Sequence, residues 1–334
     1  MKIDDACIRM ACATYSFTVS DSAMVIIAIR GCFPELCSDG YAETAVTPGN
    51  YKIVIPKPVD YKTASCTIGV WLTASKEIAL FPGSTVPSLH YLHAFPESVR
   101  HFNILCPGKY TFERGIHPRR IAGYERHEAL LMVDQGWVVI PKVIRNAIES
   151  SFDFNRCTYN IMYARDNLHA SRTESLDIFN CHYSSSGCLN IVGQPLQYVR
   201  NKAFPFSFNY WEQFMQLVNS CSAIDDHMPL LLFNYADFDC HEKNAGGLIL
   251  RYGSEGVHVM ELQEKLSQIY TNKNGLYYTA SIDGKLLAST AEAYLQFMKD
   301  YYSRKIAGEA NLQFFNTLTS HFKYKSKYQN YVIN

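Results

Sequence analysis

The residue types best suited to chemistry fall between Asn167-Leu168-His169-Ala170 and Ser184-Ser185-Ser186-Gly187-Cys188-Leu189-Asn190. A cysteine preceded by small residues can occupy a tight turn with its sulfur exposed, and the backbone amides of Gly187 and Cys188 can then face a developing oxyanion. His169 lies 19 positions upstream of Cys188, enough chain for a neighbouring strand to bring an imidazole against the thiol. Such a partner raises the fraction of thiolate, the form that attacks. The same residue types have other readings. His169 also fits a hydrogen-bonded structural histidine, and Cys181, His182, Cys188 and His169 are the residue types of a zinc site, although no Cys-x-x-Cys pair anchors one.

The elements that must position this pair follow from hydropathy spacing. Asp4 to Phe17 places Ile8, Ala11 and Tyr15 on one helical face, and Met24 to Ile29 is a β-branched run of strand length. To about residue 165 the pattern is short and strand-like, with expected turns at Thr47-Pro48-Gly49-Asn50, Phe81-Pro82-Gly83-Ser84 and Cys106-Pro107-Gly108-Lys109. Helical spacing returns with Trp211, Phe214, Met215 and Val218, and again over Val257 to Ile269 and Ser289 to Tyr301, around a turn at Asp283-Gly284. The fold class expected is α+β: a mostly β catalytic domain over 1–236, a connector over 237–247, a small three-helix domain over 248–302 and a tail over 303–334.

With 334 residues, 48% of them hydrophobic, the chain can bury a full core. Thirty-one basic side chains balance 31 acidic ones, so nothing in the overall charge draws the protein to nucleic acid. Lys323, Lys325 and Lys327 alternate with Phe322, Tyr324 and Tyr328, which suits a solvated end better than a polyanion surface. The longest N-terminal apolar run, Ala23 to Ile29, is far short of the roughly 20 residues that span a bilayer. Asp4 and Asp5 stand where a secretory leader would be basic, so synthesis in the cytoplasm without a signal peptide is the expectation. Eleven cysteines without paired spacing read as reduced thiols. No cofactor or metal is expected.

The segment from His169 to Cys188 resembles the active-site signature of the L,D-transpeptidase catalytic domain, a histidine followed by Ser-x-Gly-Cys, and most of all its phage and toxin-like branch. Pro107-Gly108-Lys109-Tyr110-Thr111-Phe112 is similar to the Thr-Pro-x-Gly-x-Phe strand that precedes that site, and Gly115-Ile116-His117 falls where the branch carries a further Gly-x-His. The resemblance implies Cys188 as nucleophile, His169 as base, and Ser186 and Gly187 in the catalytic turn, with Tyr110, His117, Arg172, His182 and Asn190 about the substrate. Ala170 replaces a common glycine, Ser186 a common second histidine and Asn190 the usual arginine, a change that weighs against cross-linking and toward hydrolysis or amino-acid exchange.

Leu250-Arg251-Tyr252-Gly253-Ser254-Glu255-Gly256-Val257, Leu262-Gln263 and then Asp283-Gly284-Lys285-Leu286-Leu287, Thr290, Ala293 and Phe297 resemble the two halves of the small peptidoglycan-binding domain, in order. Leu287 and Met298 replace that family's glycine and glutamine. Together the resemblances imply an enzyme of peptidoglycan tetrapeptide stems that acts at the cell wall or periplasm, as a phage protein or a delivered effector. An immunity protein is the implied partner of an effector. A non-catalytic wall-binding or assembly protein and an unrelated cysteine peptidase or amidase are the competing classes.

Overall fold

A computed structural model describes residues 1–21, 24–35, 43–89, 102–117, 126–141, 157–172, 183, 185–195, 209–221, 227–239, 250–268 and 275–302. The N-terminal part runs β1 (Lys2–Asp4), α1 (Asp5–Thr14), β2 (Met24–Arg30), β3 (Cys32–Pro34), α2 (Glu43–Val46), β4 (Tyr51–Pro56), β5 (Cys66–Leu72) and β6 (Glu77–Ser84). It continues with β7 (Ile104–Leu105), β8 (Gly108–His117), β9 (His127–Met132), β10 (Gly136–Pro141), β11 (Cys157–Met162), β12 (Leu168–Ala170) and β13 (Leu189–Ile191). Then come α3 (Tyr210–Ser220), β14 (His227–Asn234), α4 (Ala236–Asp239), α5 (Val257–Leu266) and α6 (Ala288–Tyr302). The architecture is α+β and mostly strand.

Eight strands close into a barrel in the order β12-β13-β6-β5-β2-β14-β8-β9, shut by Leu168 of β12 opposite Leu130 of β9. Side chains alternate across its wall, the consequence of the two-residue strand period. Ile26, Ala28, Ile68, Val70, Ala79, Phe81, Leu130, Leu168 and Leu189 join one core, which α3 enters through Trp211, Phe214, Met215 and Val218. Val25, Ile27, Ile29, Trp71, Ile78, Leu80, Leu231 and Phe233 face the other way, under the Ile8, Ala11, Cys12 and Tyr15 face of α1. Asp4 caps that helix by accepting from the Cys7 amide at 3.0 Å. The Met24 to Ile29 run is buried along its whole length because β5 and β14 flank it on both sides.

Phe81-Pro82-Gly83-Ser84 is not a turn but the end of β6. Glycine is needed there because a Cβ on Gly83 would collide with the Asn190 carbonyl across the ladder. Strand β14, which periodicity alone does not single out, fills the gap between β2 and β8 with Leu230, Leu231 and Leu232 fully buried.

Residues 237–239 of the expected connector are structured: they belong to α4, and Phe238 is buried; residues 240–247 lie outside the described residues. Beyond them α5 and α6 stand around paired turns, where Gly253 N–H donates to Leu286 O and Gly256 N–H to Gly284 O. Val259, Leu262 and Leu266 are buried, and Phe297 packs partly buried against the same core. Among the described residues this unit holds two helices, and its core is continuous with the barrel's. Tyr252 stacks on Tyr110 with ring centroids 5.1 Å apart, Lys109 N–H donates to Tyr252 O, and Lys109 Nζ reaches Glu255 at 2.7 Å. Gly253, at φ +85°, lies so close to β8 that a side chain would strike the Lys109 carbonyl. Arg251 and Asp237 form a buried two-pronged ion pair at 2.7 and 2.8 Å, with the guanidinium 3.7 Å over the Tyr15 ring. No helix among the described residues is long and apolar enough to cross a membrane.

Candidate active site

The site stands on the barrel's outer face where β8, β9, β12 and β13 adjoin. β8 ends at His117, which pairs with His127 at the start of β9, and the two rings stack at 5.1 Å. His169, central in β12, sets its ring edge-on to His117 at 4.7 Å and to His127 at 5.5 Å. Three imidazoles thus cluster because three strands deliver same-facing positions to one place. Cys188 arrives from the turn just before β13, the parallel neighbour of β12.

Cys188 Sγ lies 3.6 Å from His117 Nε2 and 3.8 Å from Arg165 O. One donor atom each from His117, His169 and Cys188 can be chosen so that all three lie within 4.8 Å of one another. His169 Nδ1 is 2.7 Å from Ala170 O. Since a carbonyl only accepts, the Nδ1 atom carries the proton and Nε2 keeps its lone pair. Burial, reinforced by the neighbouring His117 and His127, pushes the His169 pKa well below the usual histidine value and keeps the ring neutral. Cys188 is 9% exposed and His169 5%, so both residues are largely shielded from solvent rather than presented at the surface.

The turn is fixed by local bonds. Ser185 Oγ donates to Cys188 O at 2.6 Å and accepts from Gly187 N–H at 3.1 Å. The Gly187 amide is therefore engaged within the turn by Ser185 Oγ rather than directed at a substrate. Gly187 has φ +154°, and a Cβ there would come within 2.5 Å of Asn103 O and 2.8 Å of Asp166 Oδ1. Asn103 Nδ2 donates to Asp166 Oδ2 at 2.8 Å, making a wall that only glycine can approach.

The other sequence-predicted residues divide. His117 joins the site at first hand. Ser186 is half-buried in the turn. Arg172, at φ +60°, directs Nη2 to His127 Nδ1 at 2.6 Å and so borders the histidine cluster. Tyr110 is placed inside the barrel instead, fully buried, with its hydroxyl donating to Cys106 O at 2.7 Å; its position in β8 gives it the opposite face from His117. His182 and Cys181 lie outside the described residues. Asn190 sits opposite His169 across the parallel ladder, fully buried, and among the described residues neither Nδ2 nor Oδ1 has a hydrogen-bond partner. Each unmet group of this kind costs about 1–3 kcal/mol. Sequence reasoning missed Ser185, His127 and Arg165, although the alternation of His127, Ala129 and Leu131 opposite Gly115 and His117 carried the signal for His127. Compared with protein-family models, curated proteins and solved structures, the chain has no match.

Proposed function

We propose that this chain is a cysteine acyl-transfer enzyme of the L,D-transpeptidase type, with an L,D-transpeptidase-like barrel and a peptidoglycan-binding-like helical unit, acting on the tetrapeptide stems of peptidoglycan. The observation that supports it most is the contact of Cys188 Sγ with His117 Nε2 at 3.6 Å, beside a His169 held in one tautomer by Ala170 O. A thiol against one imidazole, with a second neutral imidazole in reach, is what a nucleophilic cysteine requires. His117, in hydrogen-bond range, is the better placed to take the thiol proton, and His169 is the second imidazole of the pair.

In this reading Cys188 thiolate attacks the carbonyl of the third stem residue. The carbonyl π pair moves to oxygen, toward Cys188 N–H, and collapse of the adduct expels D-alanine with the proton returned from the imidazole. The resulting thioester passes its acyl group to water, to a free D-amino acid or to a stem amine. The absence of arginine at Asn190 favours the first two acceptors. Action at the wall or periplasm after phage lysis or specialised secretion, and an immunity protein as partner, belong to the same proposal.

Purified protein incubated with tetrapeptide muropeptides should release D-alanine, and Cys188→Ala should not. Wild-type protein that releases none, or a mutant that releases as much, overturns the reading.

A further inference from the structure

We propose that His117, His169 and Cys188 also form a binding site for a soft divalent cation, Zn²⁺ above others, whose occupation takes the Cys188 sulfur out of nucleophilic use. The three donor atoms lie within 4.8 Å of one another. In a tetrahedral site, Zn–S bonds of about 2.3 Å and Zn–N bonds of about 2.0–2.1 Å set an S···N edge of roughly 3.5 Å. The sulfur to His117 Nε2 distance, 3.6 Å, already matches such an edge. Bringing a 4.8 Å separation down to that edge takes about an ångström of side-chain movement.

The surroundings of His169 fit a ligand. A metal-bound imidazole characteristically donates its other ring N–H to a backbone carbonyl or carboxylate, which fixes its tautomer and aims its lone pair. His169 Nδ1 makes that bond to Ala170 O at 2.7 Å. Two imidazoles and a thiolate with no carboxylate form a donor set for zinc rather than for magnesium or calcium. This set differs from the four residues that spacing alone offered, because His117 comes from a strand 71 positions away from Cys188.

On binding, the Cys188 S–H bond is replaced by an S–Zn bond and the proton leaves to solvent, with no change of oxidation state. The fourth position is left to water. A sulfur lone pair engaged by the cation no longer attacks a carbonyl, so on the proposed function metal and acyl donor exclude each other. The site itself rests on geometry alone and does not require that function.

The test uses the full chain, stripped with a chelator and titrated with Co²⁺ as a spectroscopic probe and then with Zn²⁺. Co²⁺ should saturate with the visible bands of a four-coordinate ion and a thiolate-to-cobalt charge-transfer band, both bleached by Zn²⁺. Cys188→Ser should remove the charge-transfer band, and His117→Gln should weaken Zn²⁺ by about 10-fold or more. His117 is less deeply buried than Cys188 or His169, so that variant remains informative if a change at either of those disturbs folding. Absence of a saturable cobalt spectrum overturns the proposal. So does a spectrum unchanged in Cys188→Ser, which would place the metal on other ligands. D-alanine release is read in parallel on the chelator-stripped, metal-free protein: cobalt bound at Cys188 together with a metal-free protein that releases no D-alanine keeps this inference and removes the enzymatic one.

Discussion

The outer-face site and the seam between barrel and helical unit are both buried and polar, yet they pair their polar groups to different degrees. In the Arg251–Asp237 pair, Arg251 Nε is the atom that goes without a partner among the described residues. At the seam Asp237 receives two nitrogens of Arg251 and the Tyr15 hydroxyl, and Ser254 Oγ closes onto Tyr15 O at 2.6 Å. Burial works against the Arg251 charge, but Asp237 beside it holds the pKa above the ordinary arginine value. Within the helical unit Gln263 is fully buried with its amide in reach of Tyr278, Asp283, Lys285 O and Thr290, while its oxygen accepts from Gly284 N–H. At the site, by contrast, the Asn190 carboxamide has no partner among the described residues, His169 is kept neutral against its own basicity, and Cys188 is held by sulfur contacts of 3.6–3.8 Å. Polar networks with nearly all their groups paired give rigidity and a unique arrangement. Unsaturated ones keep capacity for a proton, a substrate or a cation.

Five measurements press on that contrast. The largest effect is expected from Cys188→Ala, which should lower muropeptide turnover by about 10³-fold or more while the unfolding midpoint stays near wild type, because the chemistry goes and little core is lost. Breaking the seam should do the reverse. Asp237→Ala leaves a buried guanidinium without its counter-ion and should cost about 3–5 kcal/mol in denaturant titration, whereas Asp237→Leu combined with Arg251→Met should recover most of the loss. If a single seam mutant were silent, the helical unit would not be docked as described.

Gln263→Leu comes next, at about 1–3 kcal/mol, since it removes the acceptor of the buried Gly284 amide together with the hydrogen bonds of the Gln263 Nε2 group. The fourth concerns pH. A histidine whose folded pKa is depressed is fully accommodated above the unfolded value of about 6.5, and as pH falls below that the unfolded state takes up the proton first. Stability should therefore drop on acidification from about pH 6.5, by at most about 1.4 kcal/mol per pH unit for one proton, and His169→Gln should flatten that slope. A slope identical in the mutant would assign the acid sensitivity to other groups. The smallest effect is expected at Asn190: Asn190→Leu removes two unmet polar groups from a dry position and should leave stability unchanged or raise it by up to about 1 kcal/mol. A large loss of stability would mean the carboxamide is paired after all.

Local chemistry made much of the scaffold readable in the sequence alone. The Ile8, Ala11 and Tyr15 face of α1, the β-branched run of β2, the Trp211 to Val218 stripe of α3 and the Gly284 turn were legible because hydropathy period and positive-φ glycines act within a few residues. That a cysteine turn and His169 stand near one another was legible too, since both lie in one short segment, but the imidazole in contact with the sulfur is His117 of β8. Tertiary structure decided the rest. Gly83 reads as a turn until the Asn190 carbonyl is seen against it, and β14 is an unremarked apolar run until β2 and β8 need a strand between them. Tyr110 and His117 share a strand, but opposite sides of the wall send one into the core and the other to the sulfur. The placing of His127 against His117, and of Asp237 against Arg251, depends on strand register and on docking across the barrel. Those are long-range contacts, fixed by the packing of the whole core rather than by the residues next to them in the chain.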